Sequence, residues 1–193
     1  MKIMLVGLAA GVGFGAATSL VNALSSPYAE LGEPLTGTVW ASAAKVLSLL
    51  LDAGWAWAAL AVAVGWLAGE RVRGALVGAL ALFAATGAYY VTDAFVAGAE
   101  TDMVRWWAAG LPLGLILGAV GAAIRQPGVT GLLAALTVPV GAAVQMVVLP
   151  PRPHLTVTPT MVLAEVMVWT AAVLGAGWAV HRYWAARRPA AAG

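Results

Sequence analysis

The chain has 193 residues, 62% of them hydrophobic and 9% charged, with a net charge of +2 and a mean hydropathy of +0.92. A water-soluble domain is about 25% charged, so this chain lacks the polar residues to cover a surface facing water. The small positive charge, confined to the ends of apolar segments, excludes a nucleic-acid partner, and the lack of cysteine removes disulfides, thiolate nucleophiles and thiolate metal sites. What remains is an all-α polytopic membrane bundle, one transmembrane domain over residues 1–193 with about six spans of roughly 20 residues each.

Span 1 runs from about Ile3 to Leu24 behind Lys2. A basic start, an apolar core and Val21-Asn22-Ala23 also fit a secretory signal peptide. Gly7, Gly11 and Gly15, a small-residue stripe suited to close packing, favour a retained helix, with Asn22 near its outer end. The loop Ser25 to Gly37 carries Glu30 and Glu33 and no basic residue. Span 2, Thr38 to Gly69, holds Lys45, Asp52 and four tryptophans. Its 32 residues would measure about 48 Å as one helix, against a hydrocarbon thickness of about 30 Å. It is therefore strongly tilted or broken near Asp52-Ala53-Gly54, and the expectation is a kink there. Broken helices are tolerated where they line a cavity inside the protein.

Glu70, Arg71 and Arg73 turn the chain into span 3, Gly74 to about Ala97, which carries Thr86, Tyr89, Tyr90 and Asp93. A loop with Glu100 and Asp102 leads to span 4, Met103 to Ile124, with Arg105-Trp106-Trp107, Pro112 and a stripe of Gly110, Gly114 and Gly118. Arg125-Gln126-Pro127-Gly128 turns into span 5, which holds Pro139 and Gln145 and ends near Leu149. Pro150-Pro151-Arg152-Pro153-His154 forms a stiff loop. Span 6, Pro159 to His181, holds Glu165 and Trp169, and Arg182, Arg187 and Arg188 form a basic tail.

With six spans, Lys2, Arg71, Arg73, Arg125, Arg182, Arg187 and Arg188 fall on one side. Arg105 and Arg152 fall on the other, with Glu30, Glu33, Glu100 and Asp102. The positive-inside rule places both termini in the cytoplasm and the protein in the plasma membrane. Lys45 then lies in the outer third and Asp52 near the middle, while Tyr89, Tyr90, Asp93, Gln145 and Glu165 reach the outer half. The inner half is plain Ala, Leu, Val and Gly.

A charge at the centre of a membrane helix costs about 2.5–3.5 kcal/mol, so buried ionisable groups are candidates for function. Lys45, Ser48, Asp52 and Trp55 share one helical face, Asp93 shares one with Tyr89 and Tyr90, and Glu165 shares one with Trp169. These residues predict a shared aromatic cavity open toward the outer leaflet, which Trp57 and Gln145 also reach. Each has a plainer alternative. Lys45 can snorkel, Asp93 can be solvated, and Asp52 and Glu165 can be structurally paired. Trp66, Trp106, Trp107, Trp178 and Trp184 read as interfacial belt residues, and the glycine stripes read as packing alone. No acidic diphosphate–magnesium motif, HExxH or Walker loop is present, and His154 and His181 lie at opposite faces. No metal or cofactor is implied.

A carboxyl group in apolar surroundings keeps its proton and can act as a general acid, and aromatic faces stabilise passing positive charge. Together they suit proton-initiated cyclisation or isomerisation of a polyprenyl chain. Asp52 or Glu165 donates the proton and the second carboxylate, or Asp93, removes one at the end. Trp55, Trp57, Tyr89, Tyr90 and Trp169 line the path. In size, span count and buried acids the architecture is similar to the small integral-membrane terpene cyclases of meroterpenoid pathways, which implies such an activity on a prenylated substrate. The GAYYVTD segment and the Trp-bearing second span resemble small six-span membrane proteins of actinobacteria, which implies no activity. Rival readings are a proton-coupled transporter or channel, for which buried acids and a broken span also serve, and a non-catalytic lipid-binding subunit. The expected partner is a membrane lipid or prenylated small molecule, and association into a homo-oligomer stays open.

Overall fold

A computed structural model describes residues 1–97, 103–150 and 156–187. These form seven helices: α1 (Lys2–Ser25), α2 (Val39–Leu51), α3 (Gly54–Ala68), α4 (Arg71–Ala97), α5 (Met103–Ala123), α6 (Val129–Val148) and α7 (Pro159–Arg187). A 3-10 turn, Glu33–Leu35, lies between α1 and α2, and there is no strand among the described residues. Glu100, Asp102, Arg152, His154 and Arg188, all singled out from the sequence, lie outside the described residues.

Five helices, α1 and α4 to α7, are long and apolar enough to cross a membrane. The α2–α3 pair passes the same test together but is bent by 65° at its break. The register of α1 against α4 decides how that pair counts. Gly7 meets Val77, Gly11 meets Ala81 and Gly15 meets Ala85, so α1 and α4 run parallel. Two parallel spans need one return crossing between them, and α2 with α3 supplies it. The pair is a broken span, and the fold is the all-α membrane bundle expected from the sequence.

The bend also resolves the excess length of this segment. At 65°, about four tenths of the roughly 20 Å of α2 projects onto the α3 axis, so the two helices together advance about 30 Å. The depth expected for Asp52 changes accordingly. Asp52 interacts with Asn22, which lies one turn from the end of α1, so Asp52 sits toward that end of the bundle and not midway. A continuous helix would spend its full rise on depth, whereas α2 spends most of its rise sideways.

Local chemistry sets the boundaries. Thr38 Oγ1 caps α2 by accepting the Ala41 N–H at 3.2 Å. Gly69 ends α3 with φ +74°, a left-handed conformation that favours glycine and lets α4 begin at once. Arg73 Nε pairs with Glu70 Oε2 at 3.0 Å across that turn.

Both glycine stripes act as close contacts. A Cβ at Gly11 or Gly15 would overlap the Ala81 or Ala85 carbonyl on α4. Gly114 and Gly118 on α5 pack against Gly74 and Gly78 on α4, and Gly65 on α3 packs on Gly118. With no hydrophobic drive between helices in lipid, such backbone approach supplies the dispersion contacts that hold the bundle together. Gly110, expected to pack like the others, does not: its nearest neighbours lie 3.9–4.0 Å from an added Cβ. The α6–α7 pair is a second unit, joined by Pro139 against Gly175 and by Ala142, Met146, Val168 and Ala172.

Gly15→Ala is expected to lower stability by about 1–3 kcal/mol, because two backbones must separate to admit the methyl group. Gly13→Ala, on the same helix with nothing within 4 Å of the added Cβ, is expected to leave it unchanged. Thermal unfolding of both variants in one detergent checks the pair.

Candidate functional site

Where the glycines stop, the helices part. On α4, Gly74 and Gly78 give way to Leu82, Thr86, Tyr89 and Tyr90, and the facing stretch of α5 runs from Trp106 to Leu117. Pro112 in that stretch has no N–H, so the Ala108 carbonyl loses its helical hydrogen bond. Trp107 braces the wall behind: its ring stacks on Phe83 at 4.5 Å and its Nε1 donates to the Phe83 carbonyl at 3.0 Å. Between α3, α4 and α5 lies a cavity of about 650 Å³. Asp52, Trp57, Thr86, Tyr89, Tyr90 and Trp106 give its lining chemical character, over an apolar remainder that includes Leu82, Gly110 and Leu117.

The aromatic rings are ordered by one another. Trp57 stands edge-on to Phe14 at 5.3 Å and approaches Tyr89 at 6.2 Å, and Tyr89 is perpendicular to Tyr90 at 5.2 Å. Edge-to-face contacts of this kind add to burial and fix ring orientation. Asn22 ties the polar groups together. Its Oδ1 accepts the Ser48 hydroxyl at 2.6 Å, its Nδ2 donates to the Tyr89 hydroxyl at 3.2 Å, and it interacts with the Asp52 carboxylate. One amide therefore connects α1, α2, α4 and the helix break. Asp52 itself is exposed to the cavity.

The break creates an electrostatic demand that α6 meets. A helix that starts inside the protein has first-turn N–H groups without partners, and Ala53 offers no side-chain cap. The Gln145 Oε1 accepts the Trp55 N–H at 2.9 Å and fills that place.

Of the residues singled out from the sequence, Asp52, Trp57, Tyr89 and Tyr90 line the cavity together. Asp93 lies about one turn beyond Tyr89 on α4 and its charge acts on the Tyr89 hydroxyl, as does that of Asp52, but it is outside the lining. Lys45 acts on Asp52 through space, with no ion pair between them. Trp55 does not share a face with Asp52, because the break removes the helical relation between positions 52 and 55. It packs instead with Leu50 against Ala142, Met146, Val168 and Ala172. Gln145 contacts the α3 backbone and not the cavity, and Glu165 and the 41% exposed Trp169 on α7 are outside the lining.

Three lining or supporting groups carried no functional weight in the sequence reading. Trp106 passes for a belt residue because it opens a span, and Thr86 is a small hydroxyl in an apolar run. Asn22 had the clearest signal, an unpaired amide in a membrane helix, which needs partners from other helices. Among the described residues no three His, Asp or Glu side chains gather as metal ligands. The chain matches no family model, no curated protein and no solved structure.

Gln145→Leu is expected to destabilise the protein by about 1–3 kcal/mol, since the Trp55 N–H is left unpaired away from water. Gln145→Glu keeps an acceptor at that place and is expected to lose less. The ordering of the two thermal midpoints in detergent is the readout.

Proposed function

We propose that the cavity binds a hydrophobic prenyl-type chain and that the protein cyclises or isomerises it by proton-initiated chemistry, without a metal. The observation that carries this reading is the convergence of one carboxyl group, Asp52, with Trp57, Tyr89, Tyr90 and Trp106 on a single cavity between apolar helices. The Asp52 carboxyl protonates a terminal alkene. The π pair forms the new C–H bond and leaves a tertiary cation, which the surrounding rings stabilise through their faces. Attack by the next alkene closes a ring, and loss of a proton to the Asp52 carboxylate, or to Asp93, forms the final alkene. Atoms balance, so the product has the mass of the substrate.

In the test, purified protein in lipid nanodiscs is incubated with a panel of prenylated lipids and their epoxides. Mass spectrometry is expected to find a product of unchanged mass and altered retention time. Asp52→Asn is expected to lower its formation about 10²- to 10⁴-fold, the range for loss of a general acid. Glu165→Gln, outside the lining, is expected to turn over near the wild-type rate. No mass-neutral product across the panel sinks the catalytic reading. One observation favours a second reading, transport: the broken span has its break at the cavity wall, as in carriers that hold substrate between half-helices. Liposome flux under a pH gradient addresses it.

Lys2, Arg71, Arg73, Arg125, Arg182 and Arg187 gather at one end of the bundle, and we assign that end to the cytoplasm of a plasma-membrane protein. The native chain has no cysteine, so single cysteines report without background. Tyr28→Cys, at a position 96% exposed, is expected to react with a membrane-impermeant maleimide on intact cells. Ala186→Cys, near the end of α7, is expected to react only after lysis.

A further inference from the structure

The opposite end of the bundle from the aromatic cavity holds a second cavity of about 250 Å³, between the α5–α6 turn and the last turns of α7. Arg125, Arg182 and Arg187 all line it, with Tyr183, Gln126 and Gly128. Each guanidinium rests against an aromatic ring: Arg125 over Trp66 at 5.2 Å, Arg182 over Trp178 at 5.6 Å and Arg187 over Tyr183 at 4.3 Å. A cation–π contact positions a guanidinium but leaves hydrogen-bond donors unspent. Among the described residues none of these three arginines forms an ion pair, and Glu70, in the neighbouring turn, is engaged by Arg73. Arg71 donates to the Gln126 side chain at 2.6 Å, which fixes the rim of the cavity.

Three cations facing one small space repel one another, and an anion relieves that repulsion. Belt arginines placed only to orient a helix have no need to converge. The α6 helix starts at this cavity behind Gly128 with no side-chain cap, so its first-turn N–H groups add to the positive field. We propose that this cavity binds a phosphate-bearing anion, supplied by the headgroup of an anionic membrane phospholipid or by free phosphate. The guanidinium forks match phosphate oxygens. Its place where α7 leaves the apolar bundle puts a lipid headgroup within reach with the acyl chains still along the helices.

The test uses the full chain purified in neutral detergent. Native mass spectrometry follows retention of phosphatidylglycerol and of phosphatidylcholine as each is titrated, and inorganic phosphate is added as a competitor in a separate arm. Phosphatidylglycerol is expected to be retained about tenfold or more over phosphatidylcholine, and Arg182→Gln is expected to weaken it about fivefold, near the effect of one surface arginine on an anionic lipid. Arg73→Gln removes the same charge at the same end but outside the cavity, and is expected to change little. Arg187→Gln, near the helix end, carries the same expectation should Arg182→Gln fail to fold. Displacement by millimolar inorganic phosphate assigns the site to the free anion, and persistence of the lipid assigns it to the headgroup. Equal retention of the two lipids with no inorganic phosphate held by the protein in the phosphate arm, or equal weakening by Arg73→Gln and the cavity variants, overturns the proposal.

Discussion

A helix interrupted inside a membrane must find partners for its freed backbone groups, and the rest of this fold follows from how that demand is met. The interruption at Asp52 and Ala53 turns α2 aside by 65° and starts α3 with unsatisfied N–H groups. Gln145 on α6 answers one of them, while Trp55 anchors the same turn of α3 among α6 and α7 side chains. Asn22 on α1 holds the other side through Ser48 and Asp52. The break is thus clamped between both units of the bundle, and the cavity beside it is preorganised.

The cavity forms because the close packing of α4 on α5 is confined to one half of their length. Glycine at positions 74, 78, 114 and 118 brings α4 and α5 to backbone contact near the arginine-bearing end. Beyond Gly78 and Gly114 the contacts pass to Leu82, Thr86 and the tyrosines, which need more room than two helices in contact allow. Gly110 belongs to the same sequence stripe yet lines the cavity at ordinary contact distance, since its partners on α4, Leu82 and Thr86, are now side chains in place of backbone. One stripe therefore does two things, tight packing at one end and a recess at the other.

The bundle, the span count and the bend in the second span are legible in the sequence because each rests on lengths and periodicities. A 32-residue apolar segment does not fit a membrane about 30 Å thick without tilt or a break, and Asp-Ala-Gly marks the weakest place. The site is legible only in part. Asp52, Trp57, Tyr89 and Tyr90 converge as their spacing suggests, but Trp55 and Gln145 do not join them. Face assignments carried across residue 53 assume a helical phase that the break resets. Glu165 and Trp169 satisfy the rule of a buried acid beside an aromatic ring, and that rule has no information on which neighbour a helix faces. Asn22 signals in the sequence that it needs partners, but which helices supply them depends on three helices meeting at one amide.

With Glu165 outside the cavity lining, the proposed function has fewer ways to move its proton. Two acids in one cavity divide the work between a donor and a separate acceptor, and that division permits net transfer to water or to a second substrate. With one carboxyl in the lining, the proposed reaction returns its proton to Asp52 directly or passes it by way of the Tyr89 hydroxyl, which both Asp52 and Asp93 influence, toward Asp93. Return of the proton to Asp52 resets the donor for the next turnover, and the isomerised product of the proposed reaction keeps every atom of the substrate. In the proposed reaction one acid beside aromatic rings serves as donor and then as acceptor, and its tether to Asn22 at the helix break fixes its position against the ring faces that would carry the positive charge.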